Sequence, residues 1–311
     1  MIEAHALTKR YGDKTAVDDI SFTVPPGSVT GFLGPNGAGK STTMRMIVGL
    51  DRPTSGTVTV NGKRYAQHRS PLAEVGALLD AKAVHTGRSA RSHLRAMAAT
   101  HRIPTRRVDE VIEMTGLTSV ANRRVGGFSL GMGQRLGIAS ALLGDPRTLV
   151  LDEPVNGLDP EGVAWVRELV RQLAAEGRTV FLSSHLMSEM AMTADQILVI
   201  GRGRIITAGP VQDVIDSVMG ATVIVRSPRL DELVGALAGQ GARVTDPDGD
   251  GVAEVHGLTA SAIGDIAAAR GIALHELAPR SASLEQAYMS LTQDAVEYRS
   301  DNPTAQEGSP R

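Results

Sequence analysis

The sequence predicts an α/β protein built on a parallel sheet, followed by a second and smaller α/β unit. Apolar runs of strand length at 148–154 and 179–185 flank a helical stretch at 160–176. This strand–helix–strand order is typical of a parallel sheet covered by helices. Upstream, a short apolar strand leads through a glycine-rich loop into a helix between residues 28 and 50, which repeats the same pattern.

The remaining elements follow from local patterns. Residues 2–24 predict a hairpin around a turn at 11–13, and residues 55–60 predict a strand that closes on Asn61-Gly62. Residues 81–127 have a helical and basic pattern. From 219 onward, strand and helix patterns alternate in the order βαββαβ, which predicts a small ferredoxin-like sandwich.

Composition excludes several function classes. The chain of 311 residues has a formal net charge of -2, so bulk charge does not favour nucleic-acid binding. It contains no cysteine, which excludes disulfides, thiolate catalysis and cysteine-ligated zinc. No apolar run has the length of a membrane span, and the start lacks the apolar core of a signal peptide. We therefore expect a cytoplasmic location, with any membrane role supplied by a partner.

The segment GPNGAGKS, residues 34–41, is a phosphate-binding loop in the expected place between a strand and a helix. Its glycines allow backbone N–H groups to converge on an anion, and the helix that starts near Gly39 adds its positive end. Lys40 supplies a charge for the β- and γ-phosphates, and Ser41 offers a hydroxyl to Mg²⁺. The predicted nucleotide-binding residues of this loop are Asn36, Gly37, Ala38, Gly39, Lys40, Ser41 and Thr42.

Two adjacent carboxylates, Asp152 and Glu153, end the apolar run 148–154. Ligands bind at the carboxyl ends of strands in open α/β sheets, and adjacent carboxylates beside buried apolar residues are costly without a role. We predict that Asp152 holds Mg²⁺, directly or through water. Glu153 is predicted to polarise the attacking water as general base.

With these motifs in order, the chain resembles the nucleotide-binding subunit of an ABC transporter over residues 1 to about 215. The resemblance implies ATP as ligand and a P-loop NTPase fold, with a RecA-like core, an antiparallel β subdomain and an inserted helical subdomain at about 81–145. The expected domains are then a nucleotide-binding domain at 1–218, an accessory domain at 219–293 and a disordered tail at 294–311.

The resemblance also assigns roles that spacing alone does not. Tyr11 resembles the aromatic residue that stacks on adenine, and His185 resembles the switch histidine that contacts the γ-phosphate. The segment NGLDP, 156–160, resembles the D-loop, although Asp159 also suits the cap of the next helix with Pro160 in its first turn.

The segment FSLGMGQR, residues 128–135, resembles the family signature, which usually contains LSGGQ. Leu130 and Met132 depart from that pattern, and the variant resembles the drug- and antibiotic-exporter branch with separate six-helix membrane subunits. The turn has no lysine, so alone it predicts only a weak anion site at a helix start. Across a dimer it would close on the γ-phosphate held by Lys40 of the other copy. Its predicted binding residues are Ser129, Gly131, Met132 and Gly133.

A further departure lies in VGALLDAK, where Asp80 stands at the position of the Q-loop glutamine. A carboxylate can contact Mg²⁺ or the attacking water, but when ionised it cannot donate a hydrogen bond. Asp80 is therefore a candidate metal and nucleotide contact.

The basic segment 81–127 carries Lys82 and eight arginines but no aromatic residue. Without stacking side chains it does not predict single-stranded nucleic-acid binding. A solvated helical face accounts for any single arginine. The resemblance instead implies contact with an integral membrane permease through about 81–89, at the cytoplasmic face of the membrane.

Two alternative functions stay open at this stage. An importer ATPase would use the C-terminal unit as a regulatory domain. A non-transport ABC ATPase would lack a membrane partner, but such chains resemble either two cassettes in tandem or a cassette split by a long coiled coil. The accessory unit itself is predicted to mediate dimer contact or regulation, and DPDGDG at 246–251 is predicted to be a hairpin turn within it.

Overall fold

The computed structural model describes residues 1–80, 83–219, 222–245, 251–280 and 283–292. In chain order, its strands are β1 (Ile2–Tyr11), β2 (Lys14–Val24), β3 (Ser28–Leu33), β4 (Ser55–Val60), β5 (Val75–Leu78), β6 (Thr148–Leu151), β7 (Thr179–Ser183), β8 (Gln196–Gly201), β9 (Arg204–Pro210), β10 (Thr222–Arg226), β11 (Arg243–Thr245), β12 (Val252–His256) and β13 (Glu276–Arg280). Its helices are α1 (Lys40–Ile47), α2 (Pro71–Glu74), α3 (Ala90–Thr100), α4 (Thr105–Met114), α5 (Leu130–Leu142), α6 (Pro160–Ala175), α7 (Met187–Thr193), α8 (Val211–Met219), α9 (Leu230–Ala238), α10 (Ala260–Ala269) and α11 (Leu284–Thr292).

The central sheet has the strand order β5-β6-β7-β3-β8-β9, in which every neighbouring pair is parallel except β8 and β9. All residues of β6 and β7 are buried, as expected for parallel strands covered on both faces. The predicted α/β fold class is confirmed. Because parallel strands present their carboxyl ends at one edge, the loops after β3, β6 and β7 meet there.

A second sheet, of order β2-β1-β4, is antiparallel throughout. The predicted hairpin of 2–24 is confirmed in β1 and β2. Phe22 from this sheet packs with Phe32 and Phe181 of the central sheet, with ring centroids 6.3 and 5.9 Å apart. The shared core fixes the hairpin beside the loop that follows β3.

The predicted helical segment contains α3 and α4, which pack on α5 through buried residues that include Leu94, Val111 and Leu136. Part of its arginine excess is paired within the fold. Arg91 bonds to Asp109, and Arg107 contacts both Glu110 and Asp145. Arg106 also pairs with Glu110, at 3.3 Å, so several of the segment's arginines are held by acidic residues of the fold.

Helix α6 begins as predicted. The Asp159 carboxylate accepts a hydrogen bond of 2.9 Å from the Gly162 N–H, and Pro160 occupies the first turn, where its missing donor costs nothing.

We expect Asp159→Ala to lower the free energy of unfolding by about 0.5–2 kcal/mol, because the cap hydrogen bond is lost at a helix that packs on the central sheet. Urea denaturation measures the change. The control Glu168→Ala alters an exposed side chain of the same helix and should stay within about 0.5 kcal/mol of wild type. Equal stability of the two variants would show that this cap contributes nothing.

The C-terminal unit is a four-stranded antiparallel sheet of order β11-β12-β10-β13, with α9 and α10 packed on it. Its core includes Val223, Val225, Leu233, Leu237 and Ile263. The predicted turn at 246–251 lies mostly outside the described residues, which resume at Gly251; the strands on either side of it pair antiparallel.

The last helix, α11, returns to the first unit. It begins with a reciprocal capping box in which Ser283 and Gln286 each accept a hydrogen bond of 3.1 Å from the other's backbone N–H, a pattern set by their spacing of three residues. Leu284 and Ala287 are buried in the same apolar cluster as Ile215. The predicted tail at 294–311 lies outside the described residues.

Candidate functional site

The loop between β3 and α1 is built by glycines that no larger residue can replace. Gly39 has a φ of 108°, and a Cβ there would lie 2.6 Å from the carbonyl oxygen of Ala16. A Cβ on Gly34 would lie 2.4 Å from the carbonyl oxygen of Ile200. The glycines therefore supply both a left-handed turn and close backbone approach, which together form the anion-binding concavity.

This loop forms one wall of a cleft of about 590 Å³ at the carboxyl edge of the central sheet. The predicted residues that line the cleft are Asn36, Gly37, Gly39, Lys40, Ser41, Thr42, Asp80, Asp152 and Glu153. Ala38 lies behind the loop, where it is buried and its N–H donates to the Pro35 carbonyl. Gln134 and Asn156 also line the cleft; they lie in the segments 128–135 and 156–160, but neither was predicted as a site residue.

The Lys40 side chain is hydrogen-bonded to the backbone of its own loop. Its Nζ donates to the carbonyl oxygen of Gly34 at 2.6 Å and lies 3.3 Å from that of Pro35, and the residue is 8% exposed. Burial lowers the pKa of Lys40, and the carboxylates of Glu153 and Asp152 oppose that shift. Among the described residues the ammonium group contacts backbone carbonyls rather than a carboxylate, so its charge is available to an anion in the cleft.

The two carboxylates after β6 are fixed by a serine from β7. The Ser183 hydroxyl donates to Asp152 Oδ1 at 2.5 Å and accepts from the Glu153 N–H at 2.9 Å. Glu153 has a φ of 49°, a left-handed conformation that disfavours a residue with a Cβ by about 1–2 kcal/mol. The hydrogen bonds with Ser183 therefore hold the loop after β6 in this left-handed backbone conformation.

His185 follows β7 and lies beside Glu153. Its Nδ1 is 2.7 Å from Glu153 Oε2, although the two residues are 32 positions apart in the chain. The His185 side chain is 53% exposed, and it reaches the cleft only through Glu153, since His185 is not itself among the residues that line the cleft. The structure therefore brings together a lysine-bearing anion loop, a carboxylate pair and a histidine.

Comparison with known proteins identifies the family of this chain. A family model for ABC transporters matches residues 17–156. The bacitracin transport ATP-binding protein BcrA of Bacillus licheniformis is 41% identical over 213 residues, which cover 68% of this chain and 70% of BcrA. The uncharacterised ABC transporter ATP-binding protein YdbJ of Bacillus subtilis (strain 168) is 33% identical over 295 residues, covering 94% of this chain and 95% of YdbJ. The chain belongs to the ABC transporter ATP-binding proteins.

A solved structure of the ATP-binding subunit of an ABC transporter gives a TM-score of 0.64 at 26% identity, over 70% of this chain and 92% of that one. As a member of this family, the chain is an ATP-hydrolysing enzyme with a P-loop NTPase fold. Residues 221–285 match a separate model that is described only as a domain of unknown function. Across the residues that the structure describes, the helices are too short or too polar to cross a membrane.

The adenine-stacking candidate of this ABC protein is anchored outside the cleft. The Tyr11 hydroxyl donates to Asp51 Oδ2 at 2.7 Å, and Arg45 Nε donates to the same oxygen at 2.8 Å. The Arg45 hydrogen bond, followed by that of Tyr11, lowers the pKa of Asp51 to about 2. Tyr11 is not among the residues that line the cleft, so its predicted stacking on adenine stays a prediction.

The signature turn lies apart from the phosphate loop within one chain. Ser129 caps α5 by accepting from the Met132 N–H at 3.2 Å, and Ser129 and Gly133 line a separate cavity of about 550 Å³. Leu130 alone of this turn also reaches the nucleotide cleft. Its side chain packs on Gly157, where an added Cβ would lie 2.2 Å from Leu130 Cδ2. The unusual leucine therefore packs against the D-loop of its own chain.

Proposed function

We propose that this chain is the ATPase subunit of an ABC exporter for antibiotics, drugs or other lipophilic compounds. The observation that carries the proposal is the contact of 2.7 Å between Glu153 and His185 at the edge of a cleft that also contains Lys40. The export of such compounds is inferred from the signature variant and from the relative named for bacitracin transport.

In this proposal the loop 34–41 binds the ATP phosphates through backbone N–H groups and the Lys40 ammonium group. Ser41, Asp80 and Asp152 line the same cleft and present oxygen donors, which is the ligand type that Mg²⁺ prefers. Asp152 retains one oxygen outside its bond to Ser183. Bound Mg²⁺ would supply charge neutralisation of the phosphates.

Hydrolysis then uses the groups after β6 and β7. Glu153 accepts a proton as water attacks the γ-phosphorus, and the bond to the bridging oxygen breaks to give ADP and phosphate. His185 contacts the γ-phosphate and, through the 2.7 Å contact, orients the Glu153 carboxylate. The positions of the two side chains at adjacent strand ends support this pairing.

A complete site requires a second copy of the chain. The signature residues Ser129, Gly131, Met132 and Gly133 do not line the cleft of their own chain. At the start of α5 they form an anion site without a cation, suited to the γ-phosphate held by the partner's Lys40. Asp159, two residues after Gly157, follows the turn on which Leu130 packs and would lie at the same interface.

The proposal attaches this dimer to the cytoplasmic face of the membrane through a permease subunit. The expected contact at 81–89 lies beside the 550 Å³ cavity lined by Val84, Thr86, Val125 and Phe128, although residues 81–82 lie outside the described part. This apolar cavity next to the signature turn suits a helix end of a membrane protein.

Co-purification tests the membrane assignment. The full chain is produced with the membrane protein made alongside it, and the detergent-solubilised complex is isolated through a tag on this chain. We expect a stable complex whose ATPase rate responds to compounds of the transported class. Recovery with ribosomes or DNA instead, and no membrane protein, would contradict the proposal.

Tyr11→Ala should weaken ATP binding. Base–aromatic stacking contributes about 1–3 kcal/mol, so we expect the Kd for ATP to rise roughly 5- to 150-fold. The matched variant Tyr11→Phe loses the bond to Asp51 but keeps the ring, and should bind ATP much more tightly than Tyr11→Ala. Equilibrium binding of ATP measures both, and an unchanged Kd in Tyr11→Ala would remove Tyr11 from the adenine site.

A further inference from the structure

Gln134 is a buried amide in the segment 128–135, and the resemblance assigns it no role. It lies in α5 directly after Gly133 and is 4% exposed. Its Nε2 donates to the carbonyl oxygen of Glu153 at 2.8 Å, across 19 positions of sequence. Its hydrogen bond therefore joins α5 to the loop after β6, in addition to the packing of Leu130 on Gly157.

The loop that Gln134 contacts has an unfavourable backbone. Glu153 has a φ of 49°, and such a conformation persists in a residue with a Cβ only where its surroundings hold it. Two side chains do so here. Ser183 accepts from the Glu153 N–H at 2.9 Å, and Gln134 donates to the Glu153 carbonyl. Together they direct the carboxylate to His185.

The helix that carries Gln134 is itself firmly placed. Arg135, the next residue, lies over the Trp165 ring at 4.5 Å and donates to the Thr115 carbonyl at 3.2 Å. The start of the same helix is the signature turn. Any displacement of α5 is therefore transmitted to the Gln134 amide and to the carbonyl that it holds.

We propose that Gln134 is a positioning residue for Glu153, and that it makes the orientation of this carboxylate depend on the position of the signature helix. The inference rests on the proposed function, in which Glu153 is the general base. When the signature turn closes on the nucleotide of a second copy, α5 moves as a unit. Gln134 then adjusts the carboxylate of its own site, so each catalytic centre responds to closure of the other.

The first test is Gln134→Leu, which keeps the bulk and removes the donor. We expect kcat to fall about tenfold or more with an unchanged KM for ATP, because misplacement of a catalytic group by about 1 Å costs up to 10²-fold. Gln134→Asn keeps an amide, but its side chain is too short to reach the Glu153 carbonyl. It replaces the leucine variant if that variant folds poorly, and it should show the same loss of kcat. Gln172→Leu, an exposed glutamine on α6, is the matched control and should match wild type.

The second test repeats Gln134→Leu in the Glu153→Gln background. If Gln134 acts through the Glu153 carboxylate, it adds no further loss to the residual turnover, whereas a merely structural role lowers both backgrounds equally. An equal loss in both, an increased KM, or normal kcat in Gln134→Leu would overturn the inference. Normal turnover in Glu153→Gln alone would instead overturn the proposed function.

Discussion

Glu153→Gln is expected to reduce kcat for ATP hydrolysis by about 10²–10⁴-fold, the usual contribution of a general base. The amide keeps the size of the side chain and its reach to His185 but cannot accept the proton of the attacking water. Because Lys40 and the loop 34–41 are unchanged, ATP still binds. The variant should therefore accumulate as an ATP-bound dimer, which size-exclusion chromatography with and without ATP detects.

The matched control is Glu168→Gln, an exposed glutamate on α6. It should hydrolyse ATP at the wild-type rate and show no ATP-dependent accumulation of dimer. If Glu153→Gln turns over ATP as fast as this control, the proton acceptor is another group and the role given to Glu153 is wrong.

Lys40→Met is expected to act one step earlier, on binding. Methionine fills a similar volume but removes the charge, and removing one partner of a buried charge pair costs about 2–5 kcal/mol. We therefore expect the Kd for ATP to rise by about 30-fold or more, with loss of both hydrolysis and ATP-dependent dimer. Isothermal titration with ATP and Mg²⁺ measures the affinity.

Two controls show whether a lower ATP affinity comes from the loss of Lys40 itself rather than from misfolding. Lys63→Met changes an exposed lysine and should bind ATP normally. Thermal unfolding without ligand should show that Lys40→Met is folded, because the lost bonds are those to the Gly34 and Pro35 carbonyls. ATP affinity close to wild type in Lys40→Met would exclude this loop as the main phosphate site.

The sequence predicts the local features of this fold well because they depend on neighbours in the chain. The phosphate loop, the Asp159 cap and the Ser283–Gln286 capping box each lie within a few residues and follow from spacing. The order of β6, α6 and β7 follows from runs of apolar residues, and a parallel sheet is the arrangement that buries them on both faces.

Contacts between distant residues were not predictable in this way. Gln134 meets Glu153 across 19 positions and Tyr11 meets Asp51 across 40, and only tertiary packing brings these pairs together. The left-handed backbone of Glu153 likewise has no signal in the sequence, since glutamate does not favour it. The contact of Leu130 with Gly157 also has no signal in the motif, and Leu130 keeps 53% of its surface exposed.

In the proposed function, each ATP site combines the phosphate loop of one chain with the signature turn of another. Ser129→Asp tests the contribution of the signature turn, because aspartate still caps α5 while its charge repels a phosphate. We expect this variant and Glu153→Gln each to be almost inactive alone. In their mixed dimer, one site combines both lesions and the other has neither.

The ATPase rate of an equal mixture of these two variants is the direct measurement. If chains exchange freely, half of the dimers are mixed and each has one intact site, so the rate should recover to about a quarter of wild type. A mixture no more active than the mean of the two variants would contradict the shared site and confine each ATP to a single chain.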